Sequence, residues 1–296
     1  MILISSGFRM LPAALLELGN DEVYYREYAL HLQWNYFDHP PVLALLIRLS
    51  TFNLHLQNEF FMRLGAIVCA GLSTWVIYQT GCRIRNAYTG WIAALLFTAS
   101  FYTSVIAGIF ILPDSPEVLC WLLSIYGMVR ILEAGNSKTP RSLYFIFVGI
   151  TIGLCVMSKI HGIFLWLGFG GYILFHRRDL LKNPFLWLSV LITLILISPI
   201  FFWNLENHFI TYQYHQARIV AWAKPDPDHF LQQALGSVFY CNPVNFILYV
   251  LMLYALIRRR MGALPRFYPL FLWLSFPLIS ILLWVSLFNE TLPPWS

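Results

Sequence analysis

The sequence predicts an all-α membrane protein, a polytopic bundle of transmembrane helices with interfacial helices in its first extracytoplasmic loop. Two observations about composition lead to this prediction. Of the 296 residues, 59% are hydrophobic and only 11% are charged, whereas soluble domains carry about 25% charged residues. The mean hydropathy is +0.66. A third observation is that long apolar runs recur along the chain, and a chain in lipid must be helical because lipid cannot satisfy free backbone groups.

We predict a single membrane-embedded domain over residues 1–296. The apolar runs predict spans near 61–81, 87–108, 116–132, 143–157, 162–176, 184–204, 244–257 and 267–288. A weaker candidate lies at 231–243. Residues 1–18 are apolar but are shorter than the roughly 20 residues that a span needs. We therefore expect the domain to be incomplete at both ends.

Basic residues cluster in four loops that fall on the same side of the predicted membrane. They are Arg83, Arg85, Lys138, Arg141, Arg177, Arg178, Lys182, Arg258, Arg259, Arg260 and Arg266. Positive charge favours the cytoplasmic side, so that side is assigned to these loops. The net charge of +5 then reflects topology. We expect no nucleic-acid partner, because no basic and aromatic residues interleave as nucleic-acid binding requires.

The opposite side receives most acids and histidines outside the basic loops. The segments there are the first loop at 19–60, then 110–117, 158–162, 206–242 and 289–296. The chemistry of the protein is therefore predicted to lie on the extracytoplasmic face. The five cysteines form no C-x-x-C pair, and we interpret them as small buried hydrophobic residues.

Asp21 and Glu22 open a polar segment that is unusual in so apolar a chain. Residues 22–33 mix charged and apolar side chains, which suits a helix lying on the membrane surface. One interpretation is structural, since acids favour the first turn of a helix. The other is functional, since a carboxylate at the membrane surface can act as a general base.

The same loop closes on Asp38-His39 followed by the rigid Pro40-Pro41 pair. One interpretation is a capped turn. A second is a divalent-metal site in which Asp38 and His39 act with a distant ligand, and a third is a phosphate contact by protonated His39. Two candidate ligands do not define a metal, so its presence stays unknown.

Asp114 and Lys159 lie in two further outer loops. Asp114 in P-D-S-P-E is compatible with an ordinary helix start, but it shares a side with Asp21. Lys159 in S-K-I-H-G is a lone cation on that side. It is either a lysine that reaches from a helix end to the membrane surface or a contact for a phosphate-bearing lipid. Arg218, in the 206–242 loop, is another candidate contact.

Four motifs, D-E-V-Y-Y, Y-F-D-H-P-P, P-D-S-P and S-K-I-H-G, resemble the C-type glycosyltransferase superfamily. The resemblance is to the branch with dolichyl-phosphate-mannose protein mannosyltransferases and aminoarabinose lipid A transferases, and it runs from about residue 19 to the end of the chain. It implies a multi-span helical enzyme in a membrane, with its active site on the extracytoplasmic or periplasmic face of a bacterial inner membrane. It also implies transfer of a hexose or pentose from a polyprenyl-phosphate carrier, with inversion.

The resemblance also implies roles for individual residues. Asp21, accompanied by Glu22, matches the catalytic acid of the first loop, and Asp114 matches the acid of the second. Lys159 matches a basic residue assigned to the donor phosphate.

Asp38 and His39 match an acidic–basic pair before the double proline. The second position is usually Lys in the aminoarabinose branch, so His39 departs from that branch. Tyr24 and Tyr25 of the first motif are candidate substrate-binding residues, with Tyr24 suited to stack on a sugar face.

The implied partners are a polyprenyl-phosphate-linked sugar, an acceptor that is lipid A, a glycolipid or a protein, and membrane lipids. No cofactor is assigned, and a divalent metal stays open. Two other functions remain as alternatives. One is an inactive or truncated remnant of the fold. The other is a transporter of lipid-linked sugar, which the scarcity of acids within the spans disfavours.

Overall fold

The computed structural model describes residues 1–133, 141–213, 227–257 and 267–288. Most of these residues are helical and none of them is in a strand, which confirms the predicted fold class. The α-helices are α1 (Ile2–Leu15), α2 (Asn20–Leu30), α3 (Val42–Ser50), α4 (Glu59–Ile84), α5 (Ala87–Ala99), α6 (Asp114–Glu133), α7 (Arg141–Val156), α8 (Ile163–His176), α9 (Pro184–Glu206), α10 (Pro227–Cys241), α11 (Pro243–Ile257) and α12 (Tyr268–Val285).

The protein is a multi-pass membrane protein. Within the described residues, four helices are long and apolar enough to cross a membrane, namely α4, α6, α9 and α12. Two further pairs qualify if each is counted as one bent span: α1 with α2, bent by 88°, and α10 with α11, bent by 108°. Shorter apolar helices occupy the predicted runs at 87–108, 143–157 and 162–176.

Asparagine side chains set the starts of three of these helices. Asn58 accepts from the amide of Phe61, Asn86 from that of Thr89 and Asn183 from that of Phe185. The first turn of a helix has amides without a partner in the helix, and a side-chain oxygen at the cap satisfies one of them. The short polar loops between apolar runs therefore define where the helices begin.

The bundle is held by close contacts between helix backbones. A Cβ added at Gly149 in α7 would lie 2.5 Å from the carbonyl oxygen of Ser189 in α9. The hydroxyl of Thr193 donates to the carbonyl of Gly149 at 2.8 Å, and that of Ser124 in α6 donates to Thr151 in α7 at 2.9 Å. Small residues and hydroxyl groups bring transmembrane helices together where apolar side chains alone give little preference over lipid.

The predicted run at 87–108 is interrupted, which corrects the expectation of one continuous span. Ser100 has an extended backbone with ψ of 132°, and a π-helical turn, Tyr102–Ile106, follows. The hydroxyls of Thr103 and Ser104 donate to the carbonyls of Phe97 and Thr98. Such side chains offer carbonyls an alternative to the helical amide, which explains the break in an otherwise apolar run.

Candidate active site

The junction between α1 and α2 is built around Arg63 of α4, whose side chain is fully buried. Its Nη1 donates to the carbonyl oxygens of Ala13 and Leu16 at 3.2 and 2.6 Å, and its Nη2 donates to that of Glu17 at 2.8 Å. These carbonyls belong to the last turn of α1 and to the two residues that follow it, where carbonyls have no amide partner within the helix. Arg63 therefore fixes the point at which the chain turns by 88° into α2.

Glu22 completes this arrangement from α2. Its Oε1 and Oε2 accept from Nε and Nη2 of Arg63 at 2.8 and 2.6 Å. Oε2 also accepts from the amide of Gly19 at 2.9 Å, and Oε1 accepts from that of Ile111 at 3.1 Å. With four hydrogen bonds to a buried carboxylate, Glu22 has the environment of a structural clamp. The clamp joins the first loop to the segment that leads into α6.

Asp21 precedes Glu22 on the same helix and faces outward, since neighbouring residues differ by about 100° around a helix. It is exposed and makes no hydrogen bond or ion pair with any residue that the structure describes. The clamp on Glu22 therefore places a solvent-accessible carboxylate at a fixed position. Such a group is able to accept a proton from an acceptor molecule.

A cluster of tyrosines surrounds Asp38. The hydroxyls of Tyr24 and Tyr28 both donate to Oδ1 of Asp38, the first at 3.2 Å. Tyr28 stacks on Tyr36 with ring centroids 3.8 Å apart, and the Tyr36 hydroxyl donates to the carbonyl of Tyr28 at 2.7 Å. Burial and the hydrogen bond to Asp38 raise the pKa of Tyr28. The phenol therefore remains a donor and the carboxylate its acceptor.

His39 and the double proline connect this cluster to the far side of the site. The ring of His39 lies 5.8 Å from that of Tyr25, centroid to centroid. Pro41 forms the N-cap of α3, and the amide of Val42 donates to the carbonyl of Met157 at 3.2 Å. The first loop is thus bonded directly to the turn that carries Lys159.

Lys159 forms a buried ion pair with Asp114. Its Nζ lies 3.1 Å from Oδ1 of Asp114, and the same oxygen accepts from the hydroxyl of Tyr102 at 2.6 Å. Glu117 is one helical turn beyond Asp114 on α6 and is also buried. Burial alone would lower the pKa of Lys159, but the charges of Asp114 and Glu117 outweigh it and raise that pKa. The ammonium ion is the stable form.

The phenol of Tyr25 is influenced by the charges of three acids. Its ring is 3% exposed, and its pKa is raised first by burial and then by the negative charges of Asp38, Asp114 and Asp21. The three carboxylates come from two outer loops, yet all of them raise the pKa of this one phenol. The arrangement can orient a polar substrate between an exposed acid and a buried cation.

The structure thus brings most of the predicted site residues to one end of the bundle. Asp21, Asp38, His39, Asp114 and Lys159 all lie there, with Glu22, Tyr24 and Tyr25 beside them. Arg218 lies outside the described residues. Among the described residues, no group of three or more His, Cys, Asp or Glu side chains has the geometry to hold a metal ion. Asp38 and His39 alone fall short of the three protein ligands usual at a catalytic zinc site.

No sequence motif predicts a functional role for four residues of this site: Arg63, Tyr28, Tyr102 and Glu117. Arg63 interrupts an apolar run, and a buried cation inside a span is a recognisable signal of a partner. Glu117 follows Asp114 by three residues and so shares its helix face. Nothing local in the sequence distinguishes Tyr28 and Tyr102 from the other tyrosines.

The family match of the chain defines its class, the C-type glycosyltransferases. Residues 38–203, more than half of the chain, match the profile of the dolichyl-phosphate-mannose-protein mannosyltransferase family. The protein belongs to that family. The matched region begins at Asp38 and contains Asp114 and Lys159.

Two solved structures share the fold. One is ArnT from Cupriavidus metallidurans bound to undecaprenyl phosphate, at a TM-score of 0.77 and 18% identity. The other is the same protein in the apo state, at 0.73 and 19%. Each comparison covers 99% of the present chain, which spans only 56% and 55% of the length of those two chains. No curated protein matches the sequence.

Proposed function

We propose that the protein is a membrane glycosyltransferase that moves one sugar from a polyprenyl-phosphate carrier to an acceptor outside the cytoplasm. One observation carries the proposal. Asp114 holds the ammonium of Lys159 at 3.1 Å, and the hydrogen bond from the amide of Ile111 to Glu22, the neighbour of Asp21, joins the first loop to the segment that leads to Asp114. Membership of the mannosyltransferase family supports the reaction type. The undecaprenyl phosphate in the similar ArnT structure supports the carrier.

The reaction is a substitution at the anomeric carbon of the sugar. An acceptor hydroxyl or amine attacks that carbon, the bond from carbon to the carrier phosphate breaks, and the configuration inverts. The electron pair of the broken bond leaves with the phosphate, and the acceptor loses its proton to a base. The protein must therefore supply a base on one face of the sugar and a cation near the leaving phosphate.

Asp21 is the proposed base, because it is exposed and forms no ion pair with the described residues. Glu22 supports it from the neighbouring position through the buried pair with Arg63. We assign Glu22 a positioning role, since its oxygens are already engaged by Arg63 and two backbone amides.

Lys159 is the proposed cation for the donor phosphate, with His39 and Arg218 as further contacts. An ammonium ion donates hydrogen bonds to anionic oxygens, and Lys159 already donates one to Asp114 at 3.1 Å. The neighbouring carboxylates keep Lys159 protonated and hold it in place before the donor binds. Tyr24 and Tyr25 are proposed to contact the sugar, and Asp38 to orient Tyr24 through its hydrogen bond.

The topology of the basic residues supports an extracytoplasmic site, in keeping with the inner membrane of a bacterium. Arg141 lies close enough to Asp179 to stabilise its charge, and Arg177 bonds the same carboxylate. This basic cluster is at the end of the bundle opposite to Lys159. We propose that residues 19–60 form the first outer loop, and that the acceptor is lipid A, another glycolipid or a protein.

The test is sugar transfer by the purified full chain in detergent or in vesicles. Polyprenyl-phosphate-linked sugars serve as donors, candidate acceptors are supplied singly, and products are identified by mass spectrometry. Envelope glycolipids and glycoproteins from cells with and without the gene provide the natural donor and acceptor. The proposal expects a product that depends on the lipid-linked donor, with an inverted anomeric centre.

Two results would count against the proposal. Binding of the donor without transfer to any acceptor, together with an unchanged envelope, would favour a non-catalytic remnant of the fold. Movement of the intact lipid-linked sugar across vesicles, without a new glycosidic bond, would favour a transporter.

A further inference from the structure

Tyr102 bonds the acid that holds Lys159, and no motif in the sequence singles it out. Its hydroxyl donates to Oδ1 of Asp114 at 2.6 Å, and that oxygen also accepts from Lys159. We infer that Tyr102 is a positioning residue that fixes Asp114 and, through it, the ammonium of Lys159 toward the donor phosphate. The inference rests on the proposed function for its role in catalysis.

Tyr102 supplies Asp114 with a side-chain contact in addition to the one from Lys159. Asp114 is the first residue of α6, so its side chain is oriented by its partners as well as by the helix. Tyr102 and Lys159 approach the same oxygen from different segments. With both bonds in place the carboxylate is held from two segments, and loss of the Tyr102 bond removes one of the contacts that orient it.

The break in the run at 87–108 places Tyr102 within hydrogen-bonding distance of Asp114. In an unbroken helix each residue would add 1.5 Å and 100° to the path of α5. The extended Ser100 and the π-helical turn change both the direction and the rotation of the residues that follow. Single π-helical turns inside helices are frequently found at functional sites.

Arg9 of α1 holds the turn from one side. Its guanidinium Nε donates to the carbonyl of Ser104 at 3.1 Å, and Nη2 approaches the hydroxyl of Ser104 at 3.4 Å. Arg9 is 4% exposed. A cation placed inside an apolar bundle is costly unless it satisfies polar groups, and the carbonyl of the π-helical turn is such a group.

The corner between α10 and α11 holds the break from the other side. The hydroxyl of Ser100 donates to the carbonyl of Tyr240 at 3.1 Å. The amide groups of Asn242 and Asn245 donate to the carbonyls of Ala99 and Leu96 at 3.0 and 2.8 Å. Both carbonyls belong to the last turn of α5, where carbonyls have no amide partner within the helix. The corner therefore stabilises the interrupted form of the run.

The experiment compares Tyr102→Phe, which removes one hydroxyl, with Tyr88→Phe as a matched control. Tyr88 is a largely exposed tyrosine in the first turn of α5. In the transfer assay, the Tyr102 variant should raise the KM for the lipid-linked donor about tenfold with little change in kcat. The control should change neither constant.

A second readout does not depend on transfer. Lys159 in the purified full chain is acetylated with an amine-reactive reagent, and its modification is followed by mass spectrometry. Release of Asp114 should make Lys159 react about fivefold faster in Tyr102→Phe. Asn245→Ala removes a hydrogen bond that stabilises the interrupted form of the run, and Asn245 lies outside the site. It should change the rate in the same direction, and it replaces Tyr102→Phe as the test variant if Tyr102→Phe fails to fold.

An unchanged rate of Lys159 modification in Tyr102→Phe would overturn the inference. If Tyr102→Phe fails to fold, an unchanged rate in Asn245→Ala would overturn it. So would a fall in kcat alone, which would place Tyr102 in the chemical step. If neither the wild-type chain nor the variants transfer sugar, the proposed function fails, but faster modification of Lys159 would still establish the positioning contact.

Discussion

Lys159 and Asp114 form a buried ion pair of 3.1 Å across 45 positions of sequence. Asp114 begins α6 and Lys159 follows α7, so the pair joins two loops at the same end of the bundle. The carbonyl of Met157, two residues before Lys159, accepts from Val42 at the start of α3. This end of the bundle is therefore a single connected unit that includes the first loop.

The first prediction concerns the pH dependence of donor binding. The charges beside Lys159 raise its pKa above the usual value, so the ammonium ion persists throughout the neutral range. From about pH 6 to about pH 9, affinity for the phosphodiester donor should therefore show no fall at the pKa of an ordinary imidazole, near 6.5. Isothermal titration or donor KM across this range measures it, and Lys159→Gln should weaken binding about tenfold.

A different contact would give a different profile. If protonated His39 supplied the main contact, affinity would fall as the pH rises through about 6.5, where an ordinary imidazole loses its proton. That result, with little effect of Lys159→Gln, would remove Lys159 from the role assigned here.

The second prediction concerns the clamp between Glu22 and Arg63. Replacement of one partner leaves a buried charge without its counterion, which costs about 3–5 kcal/mol in folded proteins. Glu22→Gln should therefore lower the unfolding temperature strongly. Exposure of the buried thiols of Cys69, Cys120 and Cys155 to a thiol-reactive dye during heating provides the measurement.

Asp179→Asn is the matched control for that experiment. Asp179 pairs with Arg177 at 2.8 Å, but its side chain is 57% exposed. Exposed pairs contribute only about 0–1 kcal/mol, so this variant should unfold almost as the wild type does. Similar shifts for both variants would show that the clamp does not stabilise the junction of α1 and α2.

The third prediction tests the contact between α7 and α9. A Cβ at Gly149 would lie 2.5 Å from the Ser189 carbonyl, so Gly149→Ala must separate the helices. The expected cost is about 1–3 kcal/mol. At Gly170 in α8 a Cβ would meet no atom within 4 Å, so Gly170→Ala should be neutral or stabilising by up to about 1 kcal/mol. Equal effects in thermal unfolding would contradict the packing described.

The helical class and the positions of the apolar runs were predictable because hydropathy is a local property of the sequence. The run at 184–204, for example, corresponds to α9 at Pro184–Glu206. The acids and the lone Lys159 were also visible, because polar residues are rare in this chain. Their grouping at one end follows from the order of the runs and the positive-inside rule.

The partners of these residues were not predictable from local pattern. Arg63 lies 41 positions from Glu22, and nothing around either residue identifies the other. The break at Ser100 depends on hydroxyls in the run and on Asn242 and Asn245, more than 140 positions away. An apolar window of ordinary composition therefore predicted a continuous helix where tertiary contacts favour an interrupted one.

The most direct test of the account is sugar transfer by Asp21→Asn, compared with Glu27→Gln. Both residues are exposed carboxylates on α2, and Glu27 lies 4.0 Å from His31. The account predicts that Asp21→Asn loses about 100-fold or more of the transfer rate, with unchanged expression and unfolding temperature, while Glu27→Gln transfers at the wild-type rate. Full activity in Asp21→Asn would contradict the central claim.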